Sequence, residues 1–158
     1  MQLLWLQLMV NSFASIVTIA TYLTLFADPR ITVAIPIVGT ADFLSLMSAR
    51  VDESSLPKTQ YLPQAFCKMV ELKVANLDTQ LSNTKILMIN GEKDNIVPGR
   101  FNYAFVERLN KVHQGEKGQD WDFVVVKDVG HAWCPTMVDL SRKWCEKWMI
   151  QTAPKARL

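Results

Sequence analysis

Charge is missing from the start of the chain: no Asp, Glu, Lys or Arg occurs among residues 1–27. A run of that length is enough to cross a bilayer. It lacks the positively charged opening of a secretory signal, which argues against a leader of the usual form. Polar residues also interrupt it, among them Gln2, Gln7, Asn11, Ser12, Ser15 and Thr18. Two readings stand on these residues: a membrane anchor formed by residues 1–27, or a buried helix of an α/β domain, which is apolar nearly all round.

Cysteine is scarce too. Cys67, Cys134 and Cys145 are odd in number and scattered, so they form neither a disulfide framework nor the close pairs of a zinc knuckle. Free thiols suit a reducing compartment, and the expected location is cytoplasmic, with membrane anchoring as the alternative. Nor is there an excess of one charge. Seventeen basic residues face 15 acidic ones, a net charge of +2 that is evenly spread, which argues against nucleic acid or an anionic membrane surface as partner. Lys155 and Arg157 sit in a terminal tail and read as solvated. Repeats and low-complexity segments are absent. What is present, 49% hydrophobic and 20% charged residues in 158, is the composition of a globular core in one domain or part of one.

Three segments read as parallel strands. Ile31 to Val38 (ITVAIPIV) is a β-branched run covered on both faces, with Pro36 placing its end near Ile35. Lys85 to Asn90 (KILMIN) and Asp122 to Lys127 (DFVVVK) are the other two. Helices are expected between and after them: Ile16 to Phe26, stopped by Asp28-Pro29-Arg30; Thr40 to Ser48; and Leu62 to Ala75, with Phe66, Met69, Val70 and Val74 at helical spacing. Pro98 opens another, with a stripe of Phe101, Phe105, Val106 and Leu109, and the last runs from about Pro135 to Ile150 on Met137, Leu140, Trp144 and Trp148. Val51 to Lys58 and Gln114 to Gln119 read as loops. This alternation is the rhythm of an α/β fold with right-handed crossovers.

The second strand runs into Asn90-Gly91-Glu92-Lys93-Asp94-Asn95-Ile96-Val97-Pro98, and the third into Val129-Gly130-His131-Ala132-Trp133. An acid and an imidazole therefore leave the C-terminal ends of two successive strands, the edge where open α/β sheets place their ligand sites. Gly91 would allow the tight turn that aims Asp94, and Gly130 a sharp turn beside His131. Asp128 and Glu92 are rival acids. His113, at a helix end where positive charge is favoured, reads as structural, and the tryptophans read as packing residues, with Trp133 also a candidate wall of a substrate pocket. Phe43 and Met47, after the first strand, are weaker candidates for such a wall.

INGEKDNIVP resembles the acid-bearing loop of the α/β-hydrolase superfamily, and VGHAW followed by an amphipathic helix resembles its histidine loop. LFADPRITVAIPIVGTADF is similar to the passage that follows the nucleophile in dienelactone-hydrolase-like and prolyl-oligopeptidase-like members. The resemblance runs from about Ala20 to Met149. It implies a serine hydrolase cleaving an ester, thioester or peptide bond, with Asp94 and His131 as triad acid and base and no metal or other cofactor. Counting back puts Ser15 at the nucleophile position. Family members carry Gly-x-Ser-x-Gly there, whereas this chain has Phe13-Ala14-Ser15-Ile16-Val17.

Nothing resembles the earlier strands of the family. The expectation is a partial α/β-hydrolase fold of about three parallel C-terminal strands: an atypical apolar segment at 1–19, the domain part at 20–150 and a tail at 151–158. The chain would then be truncated and catalytically impaired. The alternatives are a non-catalytic remnant or interaction protein, self-associating through its exposed sheet, and a membrane-anchored accessory protein.

Overall fold

The computed structural model describes residues 20–70, 77–114 and 117–150. Ser15, the greater part of the proposed anchor and the 151–158 tail lie outside them. Among the described residues no helix is long and apolar enough to cross a membrane.

The frame is a three-stranded parallel sheet in the order β1-β2-β3, formed by Val33–Ala34, Lys85–Gly91 and Trp121–Val126. Every residue of β2 after Lys85 is buried, as the apolar run predicts for a strand covered on both faces. β1 is shorter than its β-branched run. Pairing lapses after Ala34 and resumes at a lone bridge, Ile37 to Ile89, because Pro36 has no N–H to donate; its carbonyl still accepts from Ile89 at 3.0 Å.

Side chains of β2 alternate between two cores. Ile86 and Met88 join Leu25 and Phe26 of α1 (residues 20–27), Leu81 of α5 (Leu77–Ser82), and Phe105 and Leu109 of α6 (Tyr103–Val112). On the other face Leu87 and Ile89 meet Met137 and Trp144 of α7 (Pro135–Cys145), which continues as a π-helical turn, Glu146–Ile150. Helices thus cover both faces of the sheet. The Pro98 start and the stripe of Phe105 and Leu109 agree with the sequence, after a 3₁₀ turn at Gly99–Asn102.

Between β1 and β2 the helices differ from expectation. α2 runs Phe43–Glu53, beyond Ser48 and into the stretch read as a loop. Asp42 caps it, accepting from the Ser45 N–H at 3.0 Å, and Leu46 and Val51 bury its inner side. A four-residue helix, α3 (Lys58–Tyr61), follows, then α4 (Gln64–Val70), the described part of the helix predicted over 62–75. α3 and α5 are too short to show a helical period in sequence; burial of Leu77 and Leu81 marks α5 as an element.

Candidate functional site

In-register pairing of β2 and β3 ends with Gly91 beside Val126, so the acid and histidine loops leave the sheet at the same level. They are then laced together. The Glu92 N–H donates to the Val126 carbonyl at 2.9 Å and the Lys93 N–H to the Val129 carbonyl at 2.8 Å. The Glu92 carboxylate accepts from the Asp128 N–H at 3.0 Å, and Lys93 Nζ pairs with Asp128 at 2.6 Å. Asp128 turns the chain at a φ of 61°, a backbone conformation that Asp tolerates better than most residues.

Gly91 is required by closeness. A Cβ there would lie 2.3 Å from the Val129 oxygen and 2.5 Å from that of Gly130. The expected tight turn is present, the Asp94 N–H donating to the Gly91 carbonyl at 3.3 Å, but glycine is required there so that the histidine loop can lie against the strand end and not for a positive φ. Gly130 is different: a Cβ would meet only the Lys93 oxygen at 3.7 Å, an ordinary contact, and its φ is not positive. A tight turn does close beside His131, the Ala132 N–H donating to the Gly130 carbonyl at 2.9 Å, while the positive φ of this loop falls at Asp128.

This lacing brings Asp94 and His131 together. His131 Nδ1 lies 2.9 Å from Asp94 Oδ2, and the two side chains are 9% and 0% exposed. The other Asp94 oxygen accepts from the Ile96 and Val97 N–H groups at 2.9 and 2.8 Å, a local turn that fixes the carboxylate's aim. His131 Nε2 is buried and has no hydrogen-bond partner among the described residues. Of the rival acids, Asp128 pairs with Lys93 and Glu92 receives the Asp128 N–H; the Asp94 carboxylate is the one on the ring.

Other candidates separate from this pair. His113 sits at the helix end the sequence gives it, as the C-cap of α6, and is buried with its Nδ1 3.9 Å from Asp120. Trp133 is 47% exposed, facing solvent rather than core. Trp144 and Trp148 pack edge to face, as expected of core residues. Among the described residues no group of three or more His, Cys, Asp or Glu side chains is gathered as for a metal ion.

One part of the site is absent from the sequence reading: a buried amide network beneath the acid loop. Asn102 Nδ2 donates to the Gly39 carbonyl at 2.7 Å and to Asn90 Oδ1 at 3.1 Å. Its Oδ1 accepts from the Ala41 N–H at 3.0 Å and from the Tyr22 hydroxyl at 3.2 Å, which uses all four of its hydrogen-bonding positions. Asn90 Nδ2 adds donations to the Gly39 and Val97 carbonyls, at 3.2 and 3.3 Å. Val97, which holds Asp94, is thereby tied to the segment after β1. The same network anchors Gly39 next to Val38, whose φ of 50° is costly for a β-branched residue. A polar residue inside the apolar run of β2 was the available signal.

A short parallel sheet flanked by helices, with acid and imidazole at the C-terminal ends of adjacent strands, defines the fold: it is a partial fold of the α/β-hydrolase type. The chain resembles TT1662 from Thermus thermophilus at a TM-score of 0.60 and 18% identity, covering 84% of this chain and 51% of that one. It resembles the Pyrococcus furiosus esterase Pf2001 at 0.52 and 16%, covering 84% of this chain and 50% of that one. The chain thus spans about half the length of these solved structures. No family model and no curated protein matches its sequence.

Proposed function

We propose that the chain carries the acid–base half of a serine-type hydrolytic site, for an ester, thioester or peptide bond, with Asp94 as acid and His131 as base. One observation carries the reading: a buried imidazole whose Nδ1 is on a fixed carboxylate while Nε2 is unpartnered among the described residues. A proton on Nδ1, donated to Asp94, leaves the Nε2 lone pair to take the proton of an attacking hydroxyl. The carboxylate then stabilises the imidazolium and keeps the ring from rotating. The hydroxyl oxygen bonds to the acyl carbon, and the proton on Nε2 passes to the leaving group as its bond breaks. The resemblance to a protein described as an esterase supports an acyl substrate.

Ser15 is the candidate nucleophile, and its neighbours favour a second reading. In sequence, Phe13 and Val17 occupy the positions of the glycines that permit the strained nucleophile turn, and on this second reading the chain is a catalytically impaired remnant in which acid and base persist. Labelling with a fluorophosphonate, with the modified residue mapped by mass spectrometry, separates the two. Label on Ser15 that disappears in His131→Ala supports a working triad. Folded, cooperatively melting protein that takes no label supports the remnant. Label at Ser15 that persists in full in His131→Ala sinks the acid–base assignment itself.

A further inference from the structure

A second feature stands apart from the Asp94–His131 pair. Between α2 and the segment 95–101 lies a cavity of about 250 Å³, lined among others by Arg50, Glu53, Asn95, Arg100 and Phe101. Arg50 and Arg100 both line it. Arg50 reaches across from α2 to donate to the Ile96 carbonyl, which uses one of its nitrogens. Arg100 lies over the Phe101 ring, 4.8 Å from its centroid, and its pairing with Glu53 is 3.8 Å long. That distance is beyond hydrogen-bond range. Among the described residues the Arg100 guanidinium therefore makes no hydrogen bond, and Arg50 makes one.

Two cations against one carboxylate leave the cavity walls with a net positive charge. Guanidinium donors form a planar fork that matches a carboxylate or phosphate bidentately, where a lysine would offer only a point charge. The volume is below the roughly 300–1,000 Å³ of pockets for drug-sized ligands, so the occupant is small. We propose that this cavity binds a small organic anion through a carboxylate or phosphate group held by Arg50 and Arg100, with its body against Phe101 and Leu46. Glu53 and Asn95 are placed to accept from a hydroxyl of the same molecule. The site needs no nucleophile and stands whether or not His131 serves in catalysis.

Isothermal titration of the full chain with inorganic phosphate and, separately, with succinate tests it, against sodium chloride at matched ionic strength. Saturable binding of one equivalent is expected from at least one anion, with Kd raised about tenfold in Arg100→Gln. Arg100 is exposed, and its contacts are a long ion pair and the face of the Phe101 ring, so this variant should melt close to the parent chain, which separates lost binding from lost folding. Binding of phosphate alone assigns a phosphate-bearing ligand, and binding of succinate alone a carboxylate. Heat no greater than that of chloride from both anions overturns the proposal. So does binding that is unchanged in Arg100→Gln.

Discussion

Gly91 shows how much a single residue holds in this molecule. With the Val129 and Gly130 oxygens 2.3 and 2.5 Å from where a Cβ would stand, an alanine there must push the histidine loop off the strand end. Both contacts are with backbone, so a rotamer change cannot absorb them. Gly91→Ala is expected to lower stability by about 2–4 kcal/mol, measured as a fall in urea midpoint at constant m-value. Asp94 and His131 sit on the two sides of that contact, so the variant should also lengthen their hydrogen bond; the equivalent change at Gly130, where a Cβ makes only an ordinary contact, should do far less. Equal losses at both glycines would refute this account.

Among the elements, α2 is the one whose ends are best explained by local chemistry. Asp42 starts it, and a two-bond C-terminal motif ends it: the Leu56 N–H donates to the Val51 carbonyl at 2.9 Å and the Ser55 N–H to that of Asp52 at 2.9 Å. The motif forces Ser55 to a φ of 53°, a conformation glycine adopts without penalty. Ser55→Gly is therefore expected to raise stability by about 0.5–1 kcal/mol, the relief of the left-handed backbone less the added freedom of the unfolded chain. Thermal or urea denaturation checks it, and a loss of stability would show that the hydroxyl has a role the backbone argument omits. The ion pairs of α7, where Arg142 and Lys143 meet Asp139, are exposed, and their removal should change stability little.

At the scale of the whole molecule the buried network ties α1, the segment after β1, β2 and the 3₁₀ turn that opens α6 into one unit. Its pH signature comes from Tyr22. Burial pushes this phenol's pKa up, well above the ordinary value, because the ionised form would lose its hydration. In the unfolded chain the same group ionises near pH 10. Above that pH the unfolded state gives up a proton that the folded state retains, so stability is full below about pH 10 and falls as pH rises, by at most about 1.4 kcal/mol per unit from this group. Tyr22→Phe should lose a little stability at neutral pH, where its hydrogen bond to Asn102 is missed, and show a shallower alkaline decline. Chemical denaturation of both proteins between pH 8 and pH 11 reads the difference. Parallel curves would place the alkaline sensitivity elsewhere.

Local pattern alone made legible the α/β class, the central strand β2, the start at Pro98 of the helical stretch that leads into α6, and the order of acid and imidazole. Each depends on a local pattern: an apolar run, a proline at a helix start, a loop that follows a strand. Only the tertiary structure decided which of Asp94, Asp128 and Glu92 meets His131, because that choice depends on how two loops far apart in sequence lace together. It alone assigned Gly91 its role, since the crowding oxygens belong to another strand's loop. The length of α2, the existence of α5 and the amide network of Asn90 and Asn102 were likewise hidden, being set by what lies across the fold from each residue. The cavity lined by Arg50 and Arg100 is of the same kind: residues 50 positions apart come to line it together only because α2 packs beside the acid loop.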